Sequence, residues 1–173
     1  GILDYVRRLG AMVGVAGKAA AFATELQRGL DEVARATRRH RLRPKVYFEE
    51  WDEPAITGIR WVSELVAIAG GDDVFPERAA EPLAQQRILA DHAEVIPRAP
   101  DIIIGSWCGK KFRPERVAAR PGWEAIPAVR DGELHEIKSP LILQPGPAAL
   151  TDGIGEIATI IARWSQRQAR TGS

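Results

Sequence analysis

With 173 residues, 45% apolar and 27% charged, the chain is long enough to bury one core and too apolar to remain disordered. Its 24 basic and 23 acidic residues leave a net charge of +1, which excludes the bulk attraction to nucleic acid that a strongly basic chain has. A single cysteine, Cys108, excludes an intrachain disulfide and a multi-cysteine metal centre, and no run reaches the roughly 18 consecutive apolar residues of a membrane span.

The first residues, GILDYVRRLG, lack the basic start and unbroken apolar centre of a secretion signal. There is no initiator Met, so the chain reads as cut from a longer one. Residues 1–42 carry helical spacing in Ile2, Val6, Leu9 and Val13, then in Phe22, Leu26, Leu30 and Val33. Gly10, Gly14 and Gly17 predict a break, and Pro44 closes the region. The basic run TRRHRLRPK reads as a helix C-terminus and loop, because no aromatic residues interleave with its charges as they do in a nucleic-acid patch.

From Lys45 short apolar runs alternate with helical stretches. VYF predicts a strand, EEWDEP a turn after it, and GIRWVSELVAIAGG a helix with Ile59, Val62, Leu65, Val66 and Ala69 on one face. DVF predicts a short extended segment and residues 76–87 a loop. In DHAEVIPRAPD, Asp91 and Glu94 have capping-box spacing. DIIIGS is the continuous apolar run of a buried parallel strand. RPERVAARPGW predicts a helix with Pro114 in its first turn, ELHEI a strand, and the end of the chain a helix buried along Ile154, Ile157, Ile161 and Trp164. This alternation predicts an α/β fold: an open, mostly parallel sheet flanked by helices. Ligands of such sheets sit beyond the carboxyl ends of the strands. EEWDEP, SWCGKKF and KSPLILQPGP share that edge.

Four carboxylates, Glu49, Glu50, Asp52 and Glu53, surround Trp51 in YFEEWDEP. His40, His92 and His135 have no zinc spacing, and no calcium-type loop is present, so neither a metal centre nor a cofactor is expected. Glu49 and Glu50 are consecutive in a strand and face opposite sides. Cys108 lies near Lys110 and Lys111, a setting that suits a reactive thiol, but without a histidine beside it in sequence it reads as a buried or half-buried structural residue. Trp51 and Trp107 each follow a strand, where a flat indole grips a planar ligand. Trp61, Trp123 and Trp164 read as packing residues. Lys110 and Lys111 pair either with the EEWDEP acids or with anionic ligand groups.

The order of these pieces resembles a known family. The helix ending before RPKVYFE, then SELVAIAGGDDVF, DHAEVIPRAPDIII and PGWEAIPAVRDGELHEI are similar to the C-terminal half of periplasmic binding proteins of the cobalamin and ferric-siderophore type. The likeness runs from about Ile2 to Trp164. It implies a long helix followed by one Rossmann-like lobe, half of a two-lobed protein, with residues 1–43 as the interlobe connecting region and 44–173 as the lobe. It implies a non-catalytic, periplasmic, solute-binding component of an ATP-driven importer that takes a cobalamin- or siderophore-like metal chelate in an interlobe cleft. The implied ligand contacts are Trp51, Glu49, Glu50, Trp107, Lys110, Lys111, Lys138 and Arg60. Glu94, with Asp91 beside it, is implied to dock on the membrane permease, although both also read as the helix cap. With the N-terminal lobe outside this sequence, apolar stripes on the first helical region favour association with a second copy. The acids beside Trp51 are foreign to the vitamin binders and suit a cationic or metal-chelate ligand. The competing reading is an enzyme on a related two-lobed scaffold, chelatase-like, with Glu49 or Glu50 as base.

Overall fold

The computed structural model describes residues 1–40 and 42–171. Arg41, inside the basic run, and the last two residues of the expected lobe lie outside the described residues. The helical beginning divides into α1 (Ile2–Met12) and α2 (Ala16–Thr37). Gly14, at φ +78°, makes the turn between them in a conformation that a side chain disfavours, so the expected break falls at the middle glycine.

A five-stranded sheet follows, with β1 (Lys45–Asp52), β2 (Ala55–Thr57), β3 (Asp72–Asp73), β4 (Ile102–Gly105) and β5 (Leu134–Glu136). The order runs β2-β1-β4-β5, and β3 pairs with β1. β1, β3, β4 and β5 are parallel, and β2 is an antiparallel edge. Between them lie α3 (Arg60–Ile68), the short helices α4 (Pro76–Ala79), α5 (Pro114–Ala118), α6 (Pro127–Arg130) and α7 (Ser139–Ile142), and the closing α8 (Ile154–Thr171).

Strand alternation divides the core in two. Val46, Phe48, Ile102 and Ile104 face α2, α3 and α8, meeting Leu26, Leu30, Val62, Leu65, Ile157 and Ile161. Tyr47 and Ile103 face the opposite layer, with Phe75, Val95, Trp107, Phe112 and Trp123. The stripe expected on α8 is buried throughout, from Ile154 to Trp164. Ile2, Leu26 and Leu30 join the first cluster, so the N-terminal helices share the core of the sheet.

Three expectations are corrected. EEWDEP is not a turn after the strand: β1 runs through it to Asp52, and the reversal is confined to Glu53 and Pro54 before β2 pairs back. Segment 76–87 contains α4 and a 3-10 turn at Ala84–Arg87, with Pro76 at the first helical position, where its missing N–H costs nothing. Cys108 is exposed, because the chain leaves the sheet at Ser106 and turns at Gly109. The capping box at Asp91 and Glu94 is present, on a 3-10 helix over His92–Arg98.

Candidate functional site

The acids of β1 are resolved one by one, by cations from distant segments. Glu49 is fully buried and accepts four hydrogen bonds. Arg120 grips it with both terminal nitrogens, at 2.7 and 3.0 Å, Tyr47 Oη donates at 2.9 Å and Trp107 Nε1 at 3.1 Å. Arg120 itself lies over Trp123, 4.5 Å from the ring centroid. Burial, and then the Glu49 charge, push the Tyr47 hydroxyl well above its ordinary pKa.

Glu50 turns the other way. Two residues of β1 advance against one of β2 between Glu49 and Trp51, so Glu50 is the extra residue of a β-bulge. Its carboxylate accepts from the Ile59 amide at 2.7 Å and pairs with Arg87 at 2.8 Å. Arg87 is almost fully buried and also donates to the Thr57 carbonyl at 2.5 Å. Burial raises the Glu50 pKa, and Arg87 opposes that shift. Every carboxylate oxygen of the two glutamates therefore has a structural partner.

Asp52 points to the rim. Lys110 Nζ lies 2.8 and 2.7 Å from its two oxygens, and Arg116 stands 4.0 Å away. The same ammonium sits 5.3 Å from the ring centroids of both Trp51 and Trp107. Trp51 is half-buried and Trp107 buried. Their N–H groups are committed, Trp51 to the Glu53 carbonyl at 2.8 Å and Trp107 to Glu49, so both rings are fixed in place. Beside them a notch of about 130 Å³ is lined by Asp52, Glu53, His92, Trp107, Arg116 and Arg120. Burial, then the nearby Arg120 charge, lowers the His92 pKa and favours the neutral ring. Among the described residues no group of three or more His, Cys, Asp or Glu is arranged to hold a metal ion.

The structure thus brings Trp51, Trp107 and Lys110 together. Lys111 is exposed nearby, and Lys138 reaches the same edge through Glu136, which it meets at 2.7 Å and which also accepts from the Phe112 amide. Arg60 stands apart. It pairs loosely with Glu64 at 3.6 Å and lines a separate groove of about 360 Å³ with Ile2, Tyr5, Trp61 and Pro145. Asp91 and Glu94 are not among the residues that line the notch. Glu94 is held by the Ala90 and Asp91 amides and by Arg78 at 3.3 Å, while Asp91 caps the Ala93 amide at 2.7 Å and is exposed. Sequence reasoning missed Arg87, His92, Arg116 and Arg120. The i, i+4 spacing of Arg116 and Arg120 in RPERVAARPGW is the signal that could have found two of them, although α5 itself ends at Ala118.

The family profile described as periplasmic binding protein matches residues 1–141. The chain belongs to that family. No curated protein matches the sequence. Among solved structures the fold is similar to a possible iron-binding, periplasmic solute-binding protein of Staphylococcus epidermidis, at 18% identity and a TM-score of 0.77, covering 92% of this chain and 61% of that one. It is also similar to the periplasmic vitamin B12 binding protein of Vibrio cholerae, at 19% identity and a TM-score of 0.67, covering 94% and 61%. An Fe3+-hydroxamate ABC-type transport protein of Saccharomonospora viridis aligns at 17% identity and a TM-score of 0.71, covering 91% and 54%. The chain therefore spans about three fifths of the length of these structures or less. At such identities the likeness establishes the fold, and the α/β architecture expected from the sequence agrees with it.

Proposed function

We propose that this chain is the C-terminal, ligand-binding half of a solute-binding component of an ABC importer, working in the periplasm without catalysis. Residues 1–43 are the connecting region between lobes and 44–173 the lobe. Its ligand is a small metal chelate, of the cobalamin or siderophore kind. The observation that carries this reading is the pair of rigid indoles, Trp51 and Trp107, at the carboxyl edge of a sheet in a periplasmic binding protein fold. Lys111 and Lys138 extend the rim, and Arg60 marks where a larger ligand reaches. The relatives named for iron, vitamin B12 and ferric hydroxamate support the ligand class. Asp91 and Glu94 are the proposed docking acids for the membrane permease; Asp91 offers the more accessible charge. Nucleic acid is not a partner in this account.

Thermal denaturation with excess cyanocobalamin, haemin or a ferric trihydroxamate tests the reading. At least one chelate is expected to raise the midpoint by a few degrees, in line with the linkage of binding to stability. No shift with any of the three would overturn the ligand class.

The first helices carry a second proposed interface. Tyr5, Leu9, Met12, Val13, Val15 and Phe22 are all more than two-fifths exposed on α1, α2 and their turn. That apolar face supports association with a second copy of the chain. Sedimentation is expected to show a concentration-dependent dimer that Met12→Asp with Val13→Asp dissolves; a strict monomer at high concentration would refute it.

A further inference from the structure

The Lys110 ammonium occupies a receptor that is built without it. Trp51 and Trp107 are each pinned by a hydrogen bond elsewhere, and Asp52 has only about one-twentieth of its side chain exposed. Two indole faces and a carboxylate converge on one point, and Lys110 Nζ sits there. Indole faces attract a cation through the ring quadrupole, and an enclosed carboxylate requires one.

Lys110 itself is loosely carried. Its loop is anchored at Ser106, whose amide donates to the Glu49 carbonyl at 2.9 Å, and at Phe112, whose amide reaches Glu136 at 3.1 Å. Between these anchors the one backbone hydrogen bond among the described contacts runs from Lys110 to Trp107, at a long 3.4 Å. Gly109 adjoins it at φ +69°, with open space where a β-carbon would lie. The side chain is about one-third exposed and flexible, so it leaves without disturbing the packed rings. When it leaves, Asp52 and the exposed Glu53 make the vacated place acidic, with Arg116 4.0 Å away as the nearest remaining cation to Asp52.

The geometry points to Lys110 as an internal stand-in for an alkylammonium group of the ligand, which takes its place between Trp51, Trp107 and Asp52. The inference rests on the solute-binding reading and narrows its ligand to a chelate with a pendant primary amine. A cation exchanged for a cation keeps Asp52 paired, whereas an anionic group there meets two carboxylates. The site then discriminates by charge: an uncharged arm of the same length leaves Lys110 in place.

The test compares a ferric trihydroxamate bearing one free alkylammonium arm with the same chelate acetylated on that arm, titrated by tryptophan fluorescence into wild type and Lys110→Ala. Loss of the competing lysine is expected to tighten the armed chelate roughly tenfold or more and to leave the acetylated one unchanged. Asp52→Asn is expected to erase the difference between the two chelates. Equal or weaker binding of the armed chelate to Lys110→Ala would overturn the inference and make Lys110 a direct contact or a plain structural ion pair. In parallel, n-butylammonium is titrated into Lys110→Ala, with Lys110→Gln in its place if circular dichroism shows the alanine variant unfolded. Saturable quenching that Asp52→Asn abolishes supports the receptor even where neither chelate binds, a result that would count against the solute reading alone. Absence of quenching in a folded variant refutes the receptor.

Discussion

Arg120→Met is expected to lower the unfolding free energy by about 3–5 kcal/mol, the range for removing one partner of a buried ion pair. Glu49 has no exposed surface, and two of its four hydrogen bonds come from Arg120. Tyr47 and Trp107 remain, but neither carries a charge to balance the carboxylate. The guanidinium also covers Trp123 at 4.5 Å, so packing is lost together with charge. Chemical denaturation followed by circular dichroism measures the loss. Glu49→Gln in the Arg120→Met background relieves the unpaired charge and is expected to recover part of it. A loss below about 1 kcal/mol for Arg120→Met would place the pair with ordinary surface bridges and contradict the assignment.

The second large effect is expected at Gly105→Ala, in the last residue of β4. A β-carbon there would lie 2.0 and 2.2 Å from two ring atoms of Phe112, closer than any real contact. The ring has to move, and overpacking of this kind costs about 1–3 kcal/mol. Phe112 stands edge-on to Trp107 with centroids 5.0 Å apart, so the displacement reaches the indole and the Lys110 loop. Gly105→Ala is therefore expected to weaken chelate binding as well as stability. Phe112→Ala opens the room that the methyl needs. The double variant should be no less stable than Phe112→Ala alone, a non-additivity that denaturation reads directly. Simple additivity of the two losses would mean that the ring is not the obstacle.

Local pattern made part of this molecule legible. The run of three isoleucines in β4 and the four-residue stripe of α8 carry their burial in their own spacing, and both lie where that spacing placed them. The capping box at Asp91 was readable for the same reason. YFEEWDEP was not. Four carboxylates within five positions argue for a solvated turn until their partners are known, and those partners, Arg87, Lys110 and Arg120, come 37 to 71 residues later. Their charges allow β1 to run on through the acids and β2 to pair with it. Trp51 and Trp107 were alike in sequence, each following a run of strand formers. Only tertiary packing separates them: Trp107 is tied to Glu49 inside the second core cluster, while Trp51 stays half-buried at the rim. Cys108 read as buried or half-buried because no histidine stands beside it in sequence, whereas the turn at Gly109 carries it outward.

The central claim is that the carboxyl edge around Trp51 and Trp107 receives the ligand. Hydrogen–deuterium exchange, with the chelate that most raises the thermal midpoint, tests it most directly. Slowed exchange is expected at residues 50–54 and 107–111, with the groove between Tyr5, Arg60 and Trp61 unchanged unless the chelate is large. Protection confined to that groove, or to the exposed face of α1 and α2, would contradict the account.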